Sequence, residues 1–307
     1  MIRRALDHRP ETALFLAFGV VALVIASLDG AEAAVSRAQV AVLILAVAFL
    51  GLPHGALDPL IARRQGLWRG TIGFIGFNLA YLAVAVAVVV VWLYLPAMSL
   101  LVFLLLSAWH FGGDWAHGSS RLARFGRGAA LLTLPAAFHA DTVTMIYTLL
   151  SGEAAGFLAE AQHRLAPVAA IGLAVAALTQ ALDRSREARI SAAELAALAV
   201  FGLLLPPLVF FLVYFCGLHS PRHLRQRWSA ARAESQALTR SAPLAGPGVW
   251  ALGYTLAALA LAGLLMVTLP GTGSPDAALL RVCFIGLAAL TVPHMLLLDL
   301  RWRRASP

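Results

Sequence analysis

The chain has 307 residues, is 61% hydrophobic with a mean hydropathy of +0.83, and carries charge on only 12% of its residues. Soluble domains carry roughly twice that charged share and could not hide so much apolar surface, so a soluble globular protein is excluded and a polytopic membrane protein is expected. The formal net charge of +8 rests on arginine alone, in short runs between apolar stretches rather than along one face, which argues against a nucleic-acid-binding surface.

In chain order, apolar stretches long enough to cross a bilayer lie near 13–29, 38–56, 72–95, 97–117, 128–150, 165–182, 248–269 and 278–298. The first follows Arg3, Arg4 and Arg9 and precedes Ala31-Glu-Ala-Ala34, a pattern shared by signal peptides and first spans. A retained span is expected, because the next apolar segment follows almost at once. Between Ser191 and Leu218 runs a longer stretch interrupted by Pro206-Pro207. Two adjacent prolines remove two helix donors and disfavour helix just before them, so the chain is expected to turn there and form spans of 188–205 and 207–224, each about 27 Å long. Ten spans then place twenty arginines on one side of the membrane and only Arg37, Arg164 and Arg281 on the other. Treating 191–218 as one span destroys that asymmetry, and the positive-inside rule therefore selects ten spans with both termini cytoplasmic. The expected fold is all-α, a polytopic transmembrane helical bundle of about ten spans (eight to ten) forming a single integral membrane domain over 1–307. Cys216 and Cys283 both lie in apolar stretches, so no disulfide framework is indicated.

Five of the nine histidines stand near the ends of these stretches, in Gly51-Leu-Pro-His54-Gly-Ala-Leu-Asp58, Trp109-His110-Phe-Gly-Gly-Asp114, Cys216-Gly-Leu-His219-Ser-Pro-Arg-His223 and Pro293-His294. In the ten-span arrangement all five fall in the last turns of outside-to-inside spans, at similar depth near the cytoplasmic side. Ionisable residues inside a membrane mark functional sites by default, and several at one depth point to a shared metal. Imidazoles suit iron, zinc, copper or nickel. His219 and His223 are four apart and share a helical face, with Pro221 between them expected to kink or unwind that turn. Asp58 and Asp114 each follow a histidine by four residues and are natural acceptors for the second ring nitrogen of a metal-bound imidazole, against the alternative that they snorkel at the water boundary. Gly51, Gly55, Gly112, Gly113 and Gly217 permit close helix approach. His139, isolated in mid-span, is read as an interhelical hydrogen-bonding residue, and His8, His117 and His163 as interfacial or loop residues. Tyr214 and Phe215, with Phe210 and Phe211, are either bundle packing or the wall of a substrate tunnel.

Those motifs, with Tyr214-Phe-Cys-Gly-Leu-His219 and Pro293-His294-Met-Leu in the same order over roughly 40–300, resemble the Brp/Blh family of bacterial β-carotene 15,15′-dioxygenases. The first span, 13–29, lies outside the resemblance. The resemblance implies a multi-pass enzyme of the bacterial inner membrane that splits β-carotene at its central double bond with O2, giving two molecules of all-trans-retinal for a microbial rhodopsin. It also implies a non-haem Fe(2+) held by His54, His110, His219 and His223. His294 matches a family Pro-His that is not a ligand position, leaving it with Asp58 and Asp114 behind the ligands. The competing reading is a bis-histidine haem protein or another metal-binding membrane protein, an electron carrier or transporter; a His-x-x-x-His on one helix is not what a haem clamped between two helices requires. A di-iron desaturase would need more close histidine clusters, and an intramembrane zinc protease would need a His-Glu-x-x-His that is absent.

Overall fold

A computed structural model describes residues 9–28, 36–115, 120–183, 185–238, 246–268 and 274–305, with side chains as far as Leu298. His8, His117, Arg3, Arg4, Arg240 and the Ala31–Ala34 motif lie outside the described residues. Every element among the described residues is helical. In chain order they are α1 (Pro10–Leu28), α2 (Arg37–Ala46), α3 (Asp58–Arg64), α4 (Gly70–Tyr94), α5 (Pro96–Phe111), α6 (Arg121–Thr133), α7 (Ala140–Ser151) and α8 (Gly156–Leu182). They continue with α9 (Arg186–Leu204), α10 (Pro207–Tyr214), α11 (Ser220–Leu238), α12 (Pro247–Thr268) and α13 (Pro275–Ala305). Two π-helical turns, Val47–Gly51 and Phe215–His219, and 3-10 turns at Leu52–Leu57, Gly112–Trp115 and Leu134–Ala137 interrupt them.

Seven helical stretches among the described residues are long and apolar enough to cross a membrane, or eight if a bent pair counts as one span. They coincide with seven of the expected spans. The bent pair is α6 with α7, where the expected span 128–150 is not one straight helix: the axis turns by 111° after Ala137. Pro135 removes a helix donor just before the turn, and His139 caps α7 in a non-helical conformation. His139 therefore sits at a bend and not in mid-span.

The break at Pro206-Pro207 is present. Leu205 and Pro206 are extended (ψ 145° and 143°), and Pro207 opens α10 at the first helical position, where a missing N–H costs nothing. Neither flanking segment is at once long and apolar enough to be counted among those seven: α9 carries charge, and the wholly apolar α10 is only eight residues long before the chain runs on towards α11. Arg186, Glu187, Arg189 and Glu194 stand on α9, and α11 is strongly basic. Pro221 does not unwind the backbone as expected. The helix runs on through Pro221, and the irregularity lies just upstream, in the π-turn at Phe215–His219, beside the carbonyls that the missing proline N–H leaves without a donor.

The chain divides into two compact units. One comprises residues up to Leu43 together with Pro96–His219; the other comprises Ile44–Leu95 and everything from Ser220 onward. In the first unit, α5 and α6 approach until backbone meets backbone: a Cβ on Gly128 would fall 1.8 Å from the Ala108 carbonyl oxygen, and one on Gly112 would fall 1.9 Å from that of Arg124. These two glycines allow the close crossing beside His110. In the second unit, Ala56, Leu57 and Leu60 pack with Ala231 of α11 and Ala251 of α12. On α4 only Ala85 and Trp92 are buried, Phe74 and Phe77 pack half-buried against the cluster of Ile61, Trp68 and Leu297, and most of the remaining apolar surface is left for lipid. Cys216 and Cys283 form no disulfide.

Candidate functional site

The first unit holds His110 and His219. His110 lies in the last turn of α5, and His219 ends the π-turn that follows α10. A π-turn carries one residue more per turn than an α-helix, which re-aims the side chains beyond it, and such turns recur at functional sites. Both histidines are buried (7% and 0% exposed), and their Nε2 atoms lie 3.1 Å apart. Two imidazole nitrogens bound at right angles to one metal, with bonds of about 2.1 Å, would be separated by about 3 Å.

The rear of His219 is held by a carboxylate. Asp114 Oδ2 accepts from His219 Nδ1 at 3.1 Å and from the Tyr214 hydroxyl at 2.7 Å. With Nδ1 protonated by this contact, the lone pair of His219 lies on Nε2, the nitrogen that faces His110. The ring is also packed between Phe215, stacked at 5.7 Å and 18°, and Phe111, edge-on at 4.9 Å. Tyr214 is fully buried, so its hydroxyl supports Asp114 and its ring packs against Trp115.

The second unit holds His54, His223 and His294. Pro53 deletes a helix donor, and the chain answers with a π-turn at Val47–Gly51 followed by a 3-10 turn that carries His54. Carbonyls released by that irregularity find side-chain donors: Gly51 accepts from His54 Nδ1 at 2.6 Å and from the Ser220 hydroxyl at 3.1 Å, and Leu50 also accepts from Ser220. The Gly51 contact places the His54 lone pair on Nε2. The His54 ring lies 6.1 Å from that of His223 and 5.4 Å from that of His294.

Asp58 is buried (1% exposed) and accepts from His294 Nδ1 at 2.8 and 2.9 Å and from the Tyr81 hydroxyl at 3.0 Å. Arg227 reaches the same group, at 3.8 Å from Asp58, 3.1 Å from His223 Nδ1 and 3.4 Å from His294 Nε2. His294 thus sits between a carboxylate at Nδ1 and a guanidinium at Nε2, the environment of a residue in a charge network.

Both aspartates are buried, which removes the snorkelling alternative, and each accepts from a histidine more than a hundred residues away in the chain. Asp114 supports His219 and Asp58 supports His294. The expected spacing of four presumes an α-helix. The backbone is 3-10 at Leu52–Leu57 and Gly112–Trp115, and with three residues per turn the fourth residue no longer shares a face. Of the histidines read as interfacial or loop residues, His163 lies within α8, where its Nδ1 meets the Ala136 carbonyl at 2.8 Å. Sequence reasoning missed Tyr81, Trp115, Glu194 and Arg227. Glu194 was legible as the sole carboxylate in an otherwise apolar stretch of α9, whereas the others became visible only through their partners.

The architecture and these buried histidine–carboxylate groups, one set in each unit, define a polytopic helical membrane protein with imidazoles among its buried polar groups. Comparison with known sequences narrows this further. The profile of the family described as beta-carotene 15,15'-dioxygenase matches residues 45–302, and the chain belongs to that family. It is 33% identical over 267 residues to the beta-carotene 15,15'-dioxygenase of an uncultured marine bacterium, covering 85% of this chain and 93% of that one. It is 28% identical over 312 residues to a protein of Halobacterium salinarum named probable beta-carotene 15,15'-dioxygenase Blh, covering 91% and 90%. No solved structure matches. The chain is an enzyme of this family.

Proposed function

We propose that the protein cleaves β-carotene with O2 at the central 15,15′ double bond, each half leaving with one oxygen atom as all-trans-retinal. The reading rests on membership of the family and on the Nε2 atoms of His110 and His219, buried 3.1 Å apart with His219 backed by Asp114. Fe(2+) fits such donors, because a neutral imidazole whose Nδ1–H is held by a carboxylate, as in His219, or by a carbonyl, as in His54, is what a borderline divalent metal selects. We assign the ligands as His54, His110, His219 and His223. His219 and His223 stand four residues apart along a backbone that stays helical from Phe215 to Leu238.

When bound, the iron would supply the binding and activation of O2 beside the alkene. The chain's own residues do the rest. Asp114 and the Gly51 carbonyl hold their imidazoles in the tautomer that offers Nε2. Asp58, His294, Tyr81 and Arg227 fix the surroundings of His54 and His223. Of the two aromatic residues assigned to the substrate wall, Phe215 stacks on His219 where the polyene would arrive and Tyr214 backs it from behind through Asp114, and apolar packing there excludes water. The substrate is a hydrocarbon that dissolves in the bilayer and enters laterally. In this reading the protein lies in a bacterial inner membrane in ten spans with both termini cytoplasmic, and its product supplies a microbial rhodopsin. Expression in cells that make β-carotene tests the activity: pigment should be lost and retinal should appear on chromatography. A correctly inserted protein that leaves the pigment intact would overturn the reading.

A further inference from the structure

Glu194 is fully buried on α9, among residues of an apolar helix bundle. A carboxylate in such surroundings is costly unless its oxygens are occupied. Here Oε2 accepts from the Trp115 indole N–H at 2.9 Å, and Oε1 accepts from the Thr12 hydroxyl in the first turn of α1. Indole is a donor only and carboxylate an acceptor only, so the contact fixes which way the Trp115 ring faces.

That orientation leads back to the histidine pair. Trp115 closes the 3-10 turn that carries Asp114, and its ring stacks on Tyr214 at 6.1 Å and 28°. Tyr214 donates to Asp114, which in turn accepts from His219 Nδ1. Helix α1 touches the same structure by a second route. Phe15 is fully buried and meets Phe201 of α9 edge-on at 5.3 Å, and a Cβ on Gly217 in the π-turn of His219 would lie 3.3 Å from the Phe15 Cα. The helix making these contacts precedes residue 45, where the family match begins.

We propose that Glu194, braced by Thr12 of the first span, is a positioning residue for His219, acting through Trp115, Tyr214 and Asp114. The inference rests on the reading of His219 as a metal ligand. It makes α1 part of the ligand-holding structure in addition to a membrane span. A group that directly supports a ligand typically changes metal affinity 10–100-fold, and a group one step further out should act in the same direction by about three- to tenfold.

The test uses the full chain in detergent, loaded with ferrous iron for affinity by chelator competition and with Co(2+) for its ligand-field spectrum, with thermal unfolding recorded in parallel. Glu194→Ala and Trp115→Phe should each weaken iron about three- to tenfold and shift the cobalt bands. Glu194→Gln, which keeps an oxygen for the indole and an amide for Thr12, should restore both to near wild type. Lower thermal stability with unchanged affinity and spectrum in Glu194→Ala would reduce Glu194 to a fold-stabilising contact and overturn the proposal. Should that variant fail to fold, Trp115→Phe decides, because it deletes the indole N–H that Glu194 accepts while keeping a smaller aromatic ring to pack on Tyr214. His219→Ala and Asp114→Asn separate the two levels of inference. If His219→Ala binds iron as tightly as wild type, the ligand assignment itself falls; if it loses iron while Glu194→Ala and Trp115→Phe do not, only the positioning role falls.

Discussion

Replacing Asp114 with Asn keeps the shape of the side chain and removes its charge. Asp114 Oδ2 collects two donors, Tyr214 at 2.7 Å and His219 Nδ1 at 3.1 Å, and neither the His219 nor the Asp114 side chain has any solvent exposure. An Asn oxygen in the same place would still accept, but hydrogen bonds to a neutral acceptor are roughly half as strong as those to a carboxylate. If the amide turned, its NH2 would oppose both donors and push the His219 proton to Nε2. Either outcome weakens the ligand. The expected loss in ferrous affinity is about 10–100-fold, or about 1.4–2.7 kcal/mol. Tyr214→Phe leaves the carboxylate–imidazole contact and removes one donor, so it should cost about 1 kcal/mol, or about fivefold. Both are measured by chelator competition on purified protein whose helix content matches wild type. Activity should return when iron is in excess. Affinity within twofold of wild type in Asp114→Asn would show that the carboxylate does not orient His219. Complete loss of iron at saturating metal would make Asp114 a ligand.

Ala at any of His54, His110, His219 or His223 should abolish retinal formation while the protein still inserts, and chelation of wild type should do the same until ferrous iron is restored; one such variant with full iron content and activity would remove that histidine from the set. Asp58→Asn and His294→Ala should retain measurable activity in excess iron, since His294 stands between Asp58 and Arg227, and total loss of iron in either would promote that residue to a ligand. Gly112→Ala drives a methyl group into the Arg124 carbonyl and should cost about 1–3 kcal/mol or more by overpacking, read as lower thermal stability; an unchanged melt would mean the α5–α6 approach is looser than described. Reporter fusions after Leu205 and after Arg240 should report outside and inside respectively, and equal readings would remove the crossing after Pro206-Pro207.

The sequence by itself determined the class of protein, the bounds of most membrane helices and the break at Pro206-Pro207. All depend on properties local in the chain: bilayer-length hydropathy and the missing proline donor. It also singled out the five histidines, because a titratable ring in an apolar stretch stands out against its neighbours. It did not determine the partners. Spacing of four paired Asp58 with His54 and Asp114 with His110, but that inference assumes α-helical turns, and the prolines and glycines of these segments wind the backbone into 3-10 and π-turns instead. Only tertiary structure decided that Asp114 supports His219, 105 residues away, and that Asp58 supports His294, 236 residues away. It likewise brought Arg227 to His223 and His294, and joined Thr12 to Glu194 and Trp115. Such contacts join helices remote in the chain, and a buried donor or acceptor takes whichever partner the packing brings within about 3 Å.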